Sequence, residues 1–351
     1  MFPKHRRAQL GRRFHLNLSR ASIGAASFIA TGAFLATTAP NSFATQAAPH
    51  VSQSIYVTTT STSTAYNQGY SQGHADATVY PYENSEVILD FGGMNAANTG
   101  TIFITNNGSG ATYAQIRAYA EQYALGYYTG ASQNRDVKSV LSLAISTNNS
   151  AYQVDQAGGA TWANSVVDPV QTWVTNQGLG YQVSPEAGND MEPSYHGPAD
   201  TIAWVTGYQN AAGTANDFVL NYGSADGCSW TSYNNTNCNN GWTQGDVYKV
   251  SWGLTSAYAM PEIYYDPSCS VSGVMARQWT LISRFGHYNR PNGAIIFDGP
   301  LTQSNGSGGG GCTSLQAWNA FWAELNTDSS LPLGPDGLSS TKSGFSYRSN
   351  I

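Results

Sequence analysis

Short apolar runs alternate with stretches of helical periodicity along most of this chain. Val87-Ile88-Leu89-Asp90-Phe91 has strand length and stops at a Gly-Gly pair. Tyr113, Ile116, Ala120, Tyr123 and Tyr127 then recur every three or four residues, the spacing of one helix face. Further strands are predicted at 140–145, 181–190, 218–222, 247–252, 262–265 and 294–298. Helices are predicted around Trp162, Val166 and Val170, with Pro169 as a kink or break. Others fall around Ile202, Val205 and Tyr208, starting at Pro198, then at 271–282 and at 315–325.

Alternating strands and helices predict a parallel sheet covered by helices, the α/β class. Seven strands are clear, and an eighth fits 126–128 or the segment after residue 64. Seven or eight such units in about 250 residues fit a (β/α)₈ TIM-like barrel better than an open sheet. No dinucleotide fingerprint follows the first strand, and the Gly306–Gly311 run matches only by composition.

The first 44 residues stand apart. Lys4, Arg6, Arg7, Arg12, Arg13 and Arg20 form a basic leader, an apolar small-residue run follows, and Ser42-Phe43-Ala44 offers a cleavage site. This is the pattern of a secretory signal peptide. No later run is apolar enough to predict a membrane span. Residues 45–78, rich in Ser and Thr, read as a linker or disordered stalk, 79–328 as the barrel domain and 329–351 as a C-terminal tail.

The leader carries six of the 15 basic residues and none of the 21 acidic ones, which leaves nine against 21, a net of −12. That balance argues against nucleic acid and anionic lipid as partners. Export and four cysteines together predict two disulfides, with Cys228–Cys238 and Cys269–Cys312 the favoured pairing.

Chemistry concentrates at Gly188-Asn189-Asp190-Met191-Glu192-Pro193. In an extended segment Asp190 and Glu192 face the same way, roughly 7 Å apart. Paired acids at the end of a buried strand acquire different pKa values, as acid/base work on a glycosidic bond requires. Other strand ends supply Asp90, Glu262 and Asp298, with Asn148, Tyr222, Trp252 and Tyr264 as amide and aromatic contacts for a sugar. His196 sits beside the acidic motif and is a further substrate contact. The histidines show no metal spacing, so neither a metal nor a cofactor is expected. Gly69-Tyr70-Ser71-Gln72-Gly73 has the glycine spacing of a serine nucleophile elbow but follows no strand.

The residues Leu89–Gly93, Ser146–Ser150, Asn189–Pro193, Tyr222–Cys228 and Ile296–Pro300 resemble those of secreted glycoside-hydrolase-like TIM-barrel proteins, over roughly 79–326. The strand-end Asp-x-Glu with an Asp on the first strand is similar to the pattern of lysozyme-type muramidases of glycoside hydrolase family 25. That resemblance implies Glu192 as general acid, with Asp190 and Asp90 assisting, and Glu262 is a candidate nucleophile. The expectation is a secreted, monomeric glycoside hydrolase acting on a polysaccharide or peptidoglycan. The alternative is a non-catalytic carbohydrate or cell-wall binding protein on the same barrel.

Overall fold

The computed structural model describes residues 51–79, 85–104, 108–132, 139–150, 152–213, 218–263, 274–302, 313–328 and 347–348, the last pair by backbone only. The leader, most of the tail, Tyr264, Cys269 and Cys312 lie outside the described residues. All the described residues belong to one unit, Ala48–Ile351.

The centre is a mixed α/β sheet of eight strands, mostly parallel. Two short strands, β1 (Val51–Ser52) and β2 (Ile55–Tyr56), precede the long β3 (Ser85–Met94). A hairpin of β4 (Gly100–Ile102) and β5 (Gly110–Thr112) runs antiparallel to the end of β3. Next come β6 (Leu141–Asn148), β7 (Val183–Asp190), β8 (Val219–Asn221) and β9 (Ala257–Ala259). Parallel pairing runs β2-β3-β6-β7-β8-β9. Every residue of β3 is buried, and all but one of β6 and of β7. Such near-continuous burial is what a parallel sheet with covered faces imposes. The ladder does not close on itself among the described residues. Beyond β9, Phe297 pairs with Ala259 and Leu301 with Glu262, both parallel. At the other extreme β1 pairs in parallel with β10 (Tyr347–Arg348) as a separate two-stranded sheet.

Helices fill the crossovers in chain order: α1 (Thr62–Val79), α2 (Tyr113–Ala131), α3 (Gln156–Trp162), α4 (Asp168–Asn176), α5 (Pro198–Ala211), α6 (Gln244–Tyr248), α7 (Val274–Asn289) and α8 (Ser314–Thr327). A π-helical turn, Ala163–Val167, separates α3 from α4 just before Pro169. The break falls there because Pro169 has no N–H to donate into the preceding turn.

Two expectations are corrected. The stalk expected over 45–78 is, from Val51 onward, part of the fold: β2 pairs with β3, and α1 lies against α2. The helix carries no large apolar side chain on its inner face, which consists of Ala65, Gly69, Gly73, Asp76 and Ala77. Gly69 and Gly73 sit so close to α2 that an added Cβ would lie 2.1 and 2.2 Å from the carbonyl oxygens of Tyr123 and Tyr127. Gly126 and Gly130 return the contact, 2.1 and 2.2 Å from the carbonyls of Tyr66 and Tyr70. A seam of four glycines thus brings two backbones together, and dispersion between backbones replaces side-chain interdigitation. This packing accounts for the spacing that mimics a nucleophile elbow. Ser71 donates to the Asn67 carbonyl within its own helix. Beneath the seam, buried Asp76 accepts from Tyr127 at 2.9 Å, Ser85 at 2.5 Å and Gln72 at 2.7 Å.

The second correction concerns 247–252. It is not a strand but α6 running into a π-helical turn, Lys249–Gly253. Thr243 and Asp246 form a capping box that starts the helix, a local signal outweighing the β-branched and aromatic content that follows.

Candidate active site

Pairing register puts the acids on one face. Asp90 pairs with Ser146, Ser146 with Gly188, and Asn148 with Asp190. Residues in parallel register, and those two apart on one strand, point to the same side of a sheet. Asp90 and Asp190 therefore share a face near the C-terminal ends of their strands. Both are buried, at 3% and 4% exposure.

Glu192 lies two residues past β7, and its backbone is held from both sides. The Glu192 N–H donates to Asn149 Oδ1 at 3.0 Å, and Asn149 Nδ2 donates back to the Glu192 carbonyl at 3.3 Å. Asn149 is itself fully buried and also donates to Thr201 on α5. Glu262 is brought in from the far side. Its N–H donates to the Gly223 carbonyl at 3.2 Å, and Leu301 pairs with it in parallel. As a result, carboxylate oxygens of Asp190, Glu192 and Glu262 all lie within 4.8 Å of one another. The Glu192 carboxyl lies beside that of Glu262, with the hydroxyls of Tyr195 and Ser224 close by.

Burial, followed by the charge of Asp226, pushes the Glu192 carboxyl up to about 7. For Asp190, burial and then the charges of Glu192, Asp90 and Asp226 push it well above the usual carboxylate range. Desolvation disfavours the charged form, and neighbouring carboxylates disfavour it further. Asp190 Oδ1 is buried with no hydrogen-bond partner. The Tyr195 hydroxyl is raised by burial and then by the surrounding acids, Asp190, Glu192 and Glu262, while the residue as a whole is 42% exposed. Below, Tyr222 is buried with its hydroxyl 2.5 Å from Ser146 Oγ and donating to the Thr147 carbonyl at 3.1 Å. The three carboxylates are spaced so that one hard divalent cation would reach all of them, an oxygen-only donor set of the calcium kind.

Cys228 and Cys238 form a disulfide closing a loop beside this cluster. Residues just past it grip the segment after Glu192. Asn239 Nδ2 donates to Ser194 Oγ, Asn240 Nδ2 to the Tyr195 carbonyl, and Trp242 Nε1 to the His196 carbonyl at 2.7 Å. Ser194 in turn donates to Asp226 at 2.5 Å.

Of the residues singled out in sequence, Asp90, Asp190, Glu192 and Glu262 gather at this one place, with Tyr222 beneath. Asn148 is alongside, its side-chain oxygen accepting from the Ser150 N–H at 3.1 Å. Asp298 donates its N–H to the Ala259 carbonyl, extending the ladder past β9. His196 has Nδ1 3.7 Å from Asp200. Trp252 is not part of the site. It precedes the N-terminal end of β9 and bonds the Asn292 carbonyl at 3.2 Å, at the opposite end of the sheet from Glu262. Tyr264 is outside the described residues. Sequence reasoning missed Tyr195, Asn149, Ser224 and Asp226 as individual site members. Tyr195 lies three residues after Glu192, a one-turn spacing that was the available signal. No family model, no curated protein and no solved structure matches the chain.

Proposed function

We propose that the chain is a secreted glycoside hydrolase that cleaves a polysaccharide by double displacement between Glu192 and Glu262. The observation that carries this is the close approach of those two carboxyls, their oxygens within 4.8 Å of each other, with Asp190 beside them. That spacing is nearer the separation of about 5–5.5 Å that suits retention than the wider gap that inverting enzymes keep for a water. Glu262, as carboxylate, attacks the anomeric carbon while the glycosidic C–O bond breaks and Glu192 gives its proton to the leaving oxygen. Water then attacks the same carbon, Glu192 takes the water's proton, and the bond to Glu262 breaks. Burial, followed by the charge of Asp226, keeps Glu192 protonated up to about pH 7.

We place this chemistry at the C-terminal mouth of a (β/α)₈-like barrel, the usual position for such sites. Support comes from six successive strand–helix units, from the parallel bridges of Phe297 and Leu301 ahead of α8, and from the parallel pairing of β1 with β10, which sets a strand after α8 against the first one. Export is supported by the basic leader and by the disulfide, which persists in oxidising compartments. A screen of plant and cell-wall polysaccharides for released reducing ends tests the reading. Product from at least one, lost in Glu192→Gln, is expected. Binding without product from any polysaccharide would overturn hydrolysis in favour of a carbohydrate-binding role.

A further inference from the structure

Double displacement needs two carboxyls, yet this cleft holds more. Asp190, Asp226 and Asp90 all act electrostatically on the pair or on each other. Asp190 is the telling one. It is 4% exposed, and its Oδ1 is buried without a hydrogen-bond partner. Burial and the neighbouring acids favour the neutral form of this carboxyl, and a positively charged group bringing hydrogen-bond donors would turn the balance to the carboxylate and satisfy it. The protein supplies no such group to it among the described residues. Arg117 donates to the Ser165 carbonyl, Arg277 pairs with Glu324, Arg284 with Asp328, and Arg290 lies over the Phe285 ring. Lys249 is exposed on the π-helical turn at the other end of the sheet. A cation carried by the ligand would supply that charge.

We propose that the substrate is a glycan of hexosamine units with free, protonated amino groups, and that Asp190 receives the ammonium of a sugar beside the scissile bond. This rests on the hydrolase reading given above. An ammonium brings three donors and a charge, which satisfies Asp190 Oδ1 and offsets its acidic neighbours. An acetylated amine brings a single N–H and no charge, and a uronic acid adds a further negative charge to the cluster. The chain without its leader, at a net −12, also attracts a polycation from a distance, an effect that salt screens.

The test uses the exported chain carrying Glu192→Gln, so that oligosaccharides bind without turnover. Calorimetry at mildly acidic pH compares a glucosamine tetramer with its fully N-acetylated counterpart. The free-amine tetramer is expected to bind at least about tenfold more tightly, a gap of about 1.4 kcal/mol. The gap is expected to narrow at high salt and to vanish on adding Asp190→Asn. If the double variant is unfolded by circular dichroism, the salt dependence of the preference decides. Equal or weaker binding of the free-amine tetramer, while the wild type still hydrolyses neutral glycans, overturns this inference and leaves the hydrolase reading standing. No product from any glycan removes the hydrolase reading itself. A preference that persists in Asp190→Asn overturns the role of Asp190. Saturable binding of calcium alone that blocks the tetramer reassigns the acidic cluster to a metal and overturns the proposal as well.

Discussion

Carboxylate oxygens of Glu192 and Glu262 lie within 4.8 Å of each other, and burial there favours a proton on Glu192. A proton poised near neutrality is what a general acid requires. Activity should therefore fall as pH rises through about 7, the value to which burial and Asp226 push Glu192. Glu192→Gln keeps the shape and removes the transferable proton. Its turnover should drop by roughly 10²-fold or more and lose the alkaline limb of the profile. A pH–rate profile of both forms checks this. An unchanged alkaline limb in the variant would move the acid role to another carboxyl.

The same burial makes stability depend on pH in a definite sense. Glu192 holds its proton in the folded protein up to about 7, whereas the unfolded chain releases it near 4.5. Between those values the native state binds more protons, so stability falls as pH rises. Asp190, raised by burial, acts in the same direction. Thermal unfolding followed by calorimetry should give a lower midpoint at pH 8 than at pH 5.5. Glu192→Gln should flatten that dependence, and a slope of equal size in the variant would contradict it.

The disulfide contributes through the unfolded chain and through the loop it closes. Cys228 and Cys238 are 10 residues apart, a loop worth up to about 3 kcal/mol by chain entropy. Cys228→Ser with Cys238→Ser should lower the thermal midpoint by several degrees. Activity should fall as well at temperatures where the variant stays folded, because Asn239, Asn240 and Trp242 hold the segment that carries Tyr195. Full activity in the folded variant would separate the disulfide from the site.

At Gly73 and Gly126 two effects compete. Alanine in a helix interior is favoured over glycine by about 1 kcal/mol. Here, however, its Cβ would fall 2.2 Å from the Tyr127 carbonyl oxygen or 2.1 Å from that of Tyr66, and backbone cannot step aside cheaply. Overpacking of this kind costs about 1–3 kcal/mol, so the clash wins. Gly73→Ala and Gly126→Ala should each destabilise in denaturant titrations. Gly180→Ala, with nothing within 4 Å of the added carbon, should change stability by no more than about 0.5 kcal/mol. Stabilisation at Gly73 would show that the helices separate without penalty.

Strands such as β3 and β6 were legible in sequence because burial on both faces writes a nearly continuous apolar run. The acids Asp90, Asp190, Glu192 and Glu262 were legible because strand ends are where polar residues interrupt such runs. What could not be read was packing by absence. The inner face of α1 is alanine and glycine, so the helix has no hydrophobic period and looks like a stalk. Segment 247–252 misled in the opposite way, its alternating Val, Tyr and Trp mimicking a strand while the capping box upstream set a helix. Asn149 and Tyr195 went unnoticed as site members because their roles depend on tertiary contacts with Glu192 that no local pattern encodes.

The glycine seam also determines which movements remain open to the first part of the fold. Ala65, Gly69, Gly73 and Ala77 follow one another at intervals of four along α1. Sliding this helix by one turn, about 5.4 Å, would carry a methyl group from Ala65 or Ala77 onto the α2 backbone. Only one register therefore fits, and α1 cannot slip past α2. The segment leading into α1 is tied to the site, since the Val57 N–H donates to the Asp90 carbonyl at 2.7 Å. A strained or parted seam would reach the carboxyl cluster as a misplaced Asp90, a remote route to lost activity that leaves every substrate contact chemically intact.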